Sequence, residues 1–116
     1  MEKIARINLE NYRAEDKVKH IKAKVFTGRD RGALVREASR IDQLEANNDK
    51  VVVEIPSDIY SINPSFFEEL FFNVVNKLKK EEFLRKFTFD AKGEYDFQDE
   101  LMEAIDRILN DATAIG

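Results

Sequence analysis

Residues 51–72 read VVVEIPSDIYSINPSFFEELFF, and this stretch decides the fold. Val51, Val52 and Val53 form a β-branched run, expected as a central strand buried on both faces. Pro56 has no N–H to give a sheet ladder, so the strand is expected to stop there. Ser57, Asp58, Ser61, Asn63 and Ser65 then crowd a polar join before an aromatic helix. Two registers compete for the start of that helix. Either Asn63 caps it with Pro64 in the first helical position, or Ser65 caps it with Glu68 as its reciprocal partner. In both registers small polar side chains surround outward-pointing backbone N–H groups.

The helix is expected to run to about Lys79. Phe67, Leu70, Phe71, Val74, Val75 and Leu78 share one face at helical spacing and read as core. Phe66 falls roughly 110° and Phe72 roughly 130° from the centre of that face. Both rings therefore serve either extra packing or an exposed apolar surface of the kind found at partner interfaces.

Working outward, Ile4, Ala5, Ile7 and Leu9 alternate loosely and predict a first, edge strand. Residues 11–20 are polar and read as a loop or hairpin. Ile21, Ala23 and Val25 alternate with Lys22 and Lys24 and predict a half-buried strand ending at Phe26. Thr27 with Asp30 matches a capping box, opening a helix to about Ala46. Leu34, Ala38 and Ile41 centre its apolar stripe, with Val35 and Leu44 at the margins. Lys86–Asp90 reads as a late strand. Phe97, Leu101, Ile105 and Ile108 mark a last amphipathic helix to about Leu109, followed by a fraying DATAIG tail. The order β-β-α-β-α-β-α predicts an α/β domain spanning residues 1–116, with one mixed sheet of about four strands and three helices mainly on one face.

The composition fits a folded protein: 116 residues, 43% apolar, 36% charged. No apolar run approaches a membrane span. The opening MEKIARINLE has no apolar h-region, so no secretory signal is expected and a cytoplasmic setting is. The chain has no cysteine, which excludes disulfides and thiolate metal sites. A net charge of −4 argues against general nucleic-acid binding and leaves room for a local basic patch.

Catalytic constellations are not legible. The single histidine, His20, lies in a polar segment without a clustered partner and reads as solvated. Gly28–Gly32 (GRDRG) lacks the spacing and the Lys-Ser/Thr pair of a phosphate loop and reads as a helix-entry turn. Adjacent acids such as Glu68-Glu69 and Glu81-Glu82 diverge by about 100° on a helix and form no acid–base pair. No cofactor and no metal is expected.

The chain resembles the STAS-like family of small bacterial domains over about residues 22–110. The resemblance lies in Val51-Val52-Val53-Glu54-Ile55 with Ile59, in Ile62-Asn63-Pro64-Ser65-Phe66-Phe67-Glu68-Glu69-Leu70, and in FTGRDRGALVRE with Arg29, Gly32 and Arg36. It implies a non-enzymatic regulatory module similar to anti-sigma-factor antagonists. Its partner would be an ATPase-type kinase or an anti-sigma-like regulator, docked on the join and the start of the helix. The expected surface is Ser57, Asp58, Ser61, Asn63, Ser65 and Phe66, extended by Glu69 and Phe72. The resemblance also implies release by phosphorylation of a serine at this helix start. In this chain the acceptor position falls on Pro64, and Ser65 and Ser61 are the nearest hydroxyls. Two other classes compete: a phage- or mobile-element-encoded inhibitor whose acidity suits a basic groove, and an anion or nucleotide sensor using the helix start.

Overall fold

In the computed structural model the backbone of residues 2–115 and the side chains of residues 2–110 are described. The elements are β1 (Ile4–Asn8), β2 (Glu15–Asp16), β3 (Ile21–Lys22), β4 (Val25–Phe26), α1 (Arg29–Ser39), α2 (Ile41–Asn47), β5 (Lys50–Ile55), β6 (Ser61–Ile62), α3 (Pro64–Leu70), α4 (Phe72–Lys86), β7 (Phe87–Ala91) and α5 (Gln98–Ile115). The architecture is α/β with a small sheet of parallel strands.

The valine run lies in β5, the middle strand of a three-stranded sheet ordered β1-β5-β7. Ala5, Val51 and Phe87 stand in register, as do Ile7, Val53 and Phe89. Val51, Val53 and Ile55 are buried, while Lys50, Val52 and Glu54 are only half-buried. The expected burial on both faces is thus corrected: one face meets the helices and the other carries charge. On that polar face Glu54 pairs with Arg6 at 3.7 Å and with Lys92 at 3.6 Å. Pro56 follows the last residue of β5, as expected, and β1 is an edge.

The mixed four-stranded sheet becomes a parallel three-stranded one because the predicted strand 21–26 splits. Its first half, β3, turns back on β2 as an antiparallel hairpin, and its second half, β4, pairs in parallel with β6. The described residues hold five α-helices where three were expected. Arg40 adopts left-handed angles (φ 54°, ψ 43°) and separates α1 from α2. That break lets α2 turn Ile41, fully buried, toward β1 and β5. Phe71 (φ −98°, ψ 7°) separates α3 from α4, and Lys79 (φ 65°) interrupts α4 where the sequence placed a helix end.

The capping box at Thr27 does not form; Gly28 caps α1 without a side-chain bond. The predicted stripe of α1 is rotated by one residue. Gly32, Val35 and Ser39 face inward, and Leu34 is 48% exposed. A Cβ at Gly32 would collide with the Phe66 carbonyl and the Glu69 side chain. The missing side chain lets α1 pack against the backbone of α3, and a glycine face is invisible to a hydrophobic pattern.

An aromatic cluster fills the space between sheet and helices. The Phe71 ring meets those of Phe67, Phe83, Phe87 and Phe89 at centroid distances of 5.6, 5.1, 5.9 and 5.8 Å. Leu101, Ile105 and Ile108 of α5, with Phe97 just ahead of it, close the core as the amphipathic pattern predicted. The α5 backbone continues to Ile115, past the expected end at Leu109. Gly116 and the side chains of 111–116 lie outside the described residues, and with them the expected fraying.

Candidate functional site

The join is built by three short constraints. First, Pro56 ends β5 and the chain turns outward through Ser57 and Asp58, both exposed. The Arg13 guanidinium grips the Asp58 carboxylate through two hydrogen bonds of 2.9 Å. Its Nε donates to the Ala23 carbonyl at 2.9 Å, and Nη1, one of the two nitrogens on Asp58, also donates to Glu10 at 3.0 Å. This fork geometry suits arginine alone among the basic residues. Second, the Tyr60 N–H donates to the Lys24 carbonyl and the Asn63 N–H to the Phe26 carbonyl, flanking the β4–β6 bridge. Third, the Tyr95 hydroxyl accepts the Ile62 N–H at 3.1 Å, and the backbone at Gly93 lies so close to Ser57 that a Cβ would clash.

The electrostatics follow from these contacts. The hydrogen bonds from Arg13 hold the Asp58 carboxyl below its usual range, and Asp58 in turn raises the guanidinium. Glu10 is lowered chiefly by its hydrogen bond from Lys22. Burial pushes the Tyr95 phenol up.

The start of α3 is resolved in favour of Asn63. Its Oδ1 accepts the Ser65 N–H at 2.9 Å and the Ser65 hydroxyl at 2.8 Å, with Pro64 next in the chain. Ser65 is therefore the guest of the cap. Glu68, its expected capping partner, is 3% exposed and pairs instead with Arg29 at 2.9 Å and Arg107 at 3.7 Å. These arginines come from α1 and α5, so Glu68 ties three helices together.

The expected surface is only partly assembled. Ser57, Asp58 and Asn63 are exposed, and Ser61 and Ser65 are half-buried. Contrary to expectation Phe66 is fully buried, its ring 4.9 Å from that of Phe26, and it takes no part in the exposed surface. Glu69 is half-buried and its carboxylate bonds Arg36 at 3.1 Å, so it is committed inside the molecule. Phe72 is 38% exposed, as its wheel position allowed. It opens α4, past the far end of α3 from the join, and α3 is about 10 Å long. Sequence reasoning missed Tyr60, which is 67% exposed in the middle of the loop. An aromatic among small polar residues was the available signal. Arg13 was also missed, since nothing local announces a partner 45 positions away.

The start of α3 faces a mainly acidic cleft: Pro64 shares it with Asp99, Glu100, Glu103, Asp106, Arg107 and Asn110 of α5, and the Arg107 guanidinium is already paired with Glu68 and Glu103. Such a setting repels a free anion and weighs against the sensor reading. His20 is exposed at the hairpin turn. Among the described residues no group of three or more His, Asp or Glu side chains is placed to hold a metal ion, and no helix is long and apolar enough to cross a membrane.

No protein-family model matches the chain, and no curated protein and no solved structure matches it.

Proposed function

We propose that the chain works by binding another protein through the join from Ser57 to Ser65, as a regulatory module of STAS-like type. The observation that carries this reading is Tyr60. Its ring is two-thirds exposed on a loop whose backbone is fixed on both sides, at Lys24 and at Ile62. A large aromatic on a preformed loop docks at little cost in conformational entropy, and tyrosine is enriched at protein interfaces. Ser57, Asp58 and Asn63 supply a polar rim around it. Binding rather than acid–base chemistry suits Asp58, whose carboxylate is already held by Arg13.

The partner class carried over from the resemblance is an ATPase-type kinase or an anti-sigma-like regulator. Release by phosphorylation has less support. Pro64 occupies the acceptor position, and the Ser65 hydroxyl is engaged by Asn63. Pull-down of the purified products of neighbouring genes by tagged wild-type chain tests the proposal. Tyr60→Ala should cut capture at least tenfold while the far-ultraviolet circular dichroism stays unchanged. Capture that survives Tyr60→Ala, Ser65→Asp and Phe72→Asp together places the binding surface elsewhere.

A further inference from the structure

Besides Ile4, Tyr60 and Phe72, two exposed apolar features stand out among the described residues. One is the turn of the β2–β3 hairpin, where Val18 is 90% and Ile21 56% exposed. The Asp16 carboxylate accepts the N–H groups of Val18 and Lys19 at 3.0 and 3.2 Å, and His20 takes a left-handed φ of 56°, so the turn has a defined shape. Lys17 and Lys19 flank Val18, and neither has an ion-pair partner among the described residues. The other is the outer face of α1. Ala33, Leu34 and Ala38 floor a shallow groove of about 570 Å³, with Asp30 and Glu37 on its rim. These two acids also have no ion-pair partner among the described residues.

The two surfaces are complementary in both respects. One is an apolar knob between lysines; the other is an apolar floor between carboxylates. Asp30 and Glu37 lie seven residues apart on one helix, about 10 Å along its axis, a span that two lysine side chains leaving one turn can bridge. We propose that the hairpin turn of one copy docks in the α1 groove of a second copy, with Val18 over Leu34 and Lys17 and Lys19 against Asp30 and Glu37. A nucleic-acid or lipid phosphate surface suits the turn less well, because Glu15 and Asp16 stand beside the lysines and would face the phosphates. The contact joins two different faces, so each copy offers its hairpin to a neighbour and its groove to a neighbour. One turn set against one helix face is a small contact beside the roughly 1,200 Å² of lasting complexes, so a transient association is expected. It is independent of the partner surface proposed above.

Sedimentation equilibrium of the full chain across a concentration series tests this. The wild type should rise above monomer mass with concentration, and added salt should reverse the rise. Val18→Asp and Leu34→Asp, both at exposed positions, should each remain monomeric with unchanged melting temperatures. Mixed in equal amounts they should associate again, because one variant keeps its groove and the other its hairpin, and the mass should not pass that of two chains. A wild type that stays monomeric at millimolar concentration overturns the proposal, as does a mixture that fails to associate. Wild type that pellets with phosphatidylserine vesicles, or binds single-stranded DNA, while remaining monomeric overturns it in favour of an anionic surface.

Discussion

Arg13 holds Asp58 with two hydrogen bonds of 2.9 Å across 45 positions of sequence, and the same side chain donates to the Ala23 carbonyl. One guanidinium thus fastens the hairpin to the loop after the central strand. Arg13→Ala removes the donor of the Ala23 carbonyl and should cost roughly 1 kcal/mol. The clearer effect is local: amide hydrogen exchange at Tyr60 and Asn63 should accelerate well beyond that of β5. Arg13→Lys should not restore protection, since an ammonium cannot make the paired contact.

The clamp also sets a response to acid. The Asp58 carboxyl is depressed by Arg13, so its contribution is complete above the unfolded value of about 3.9 and is lost as pH falls through the lower folded value. Exchange at Tyr60, corrected for intrinsic pH dependence, should rise below pH ~3.9 in the wild type. In Asp58→Asn that rise should be absent.

Glu45 responds to acid in the same sense. It is 3% exposed and accepts from Lys77 at 2.8 Å and Lys86 at 2.7 Å. Burial alone would raise its carboxyl, and the two lysine hydrogen bonds outweigh burial to leave it lowered. Its stabilisation is therefore present above pH ~4.3 and lost as pH falls through the folded value. Glu45→Gln should cost about 1–2 kcal/mol at neutral pH. In urea titrations the gap to wild type should narrow below pH ~4.

Neighbouring phenylalanines should behave oppositely. Phe71 is 1% exposed and meets four other rings, so Phe71→Ala should cost about 3–5 kcal/mol. Phe72→Asp, at a 38% exposed position, should change the urea midpoint little.

Gly32 fixes the spacing of α1 and α3. A Cβ there meets the Phe66 carbonyl at 2.5 Å and the Glu69 Cβ at 2.8 Å. The mid-helix propensity gain of alanine is under about 1 kcal/mol, while pushing the helices apart costs about 1–3 kcal/mol. Gly32→Ala should therefore destabilise on balance, measured by urea unfolding.

The sequence by itself determined the elements whose cause is local. Val51–Val53 demanded a central strand, Pro56 ended it, Asn63-Pro64 offered one of two helix starts, and the stripe from Phe97 to Ile108 set α5. These follow from side-chain branching, a missing N–H, a capping amide and helical period. Tertiary structure alone decided what depends on distant partners. Phe66 went into the core because Phe26 was there to receive it, and Glu68 was buried because Arg29 and Arg107 converge on it. The stripe of α1 turned onto Gly32 and left Leu34 outside, because backbone approach to α3 outweighed the burial of one leucine. Periodicity records which face of a helix is apolar. It does not record which neighbour arrives, and that arrival fixed which side chains were buried and which were left exposed.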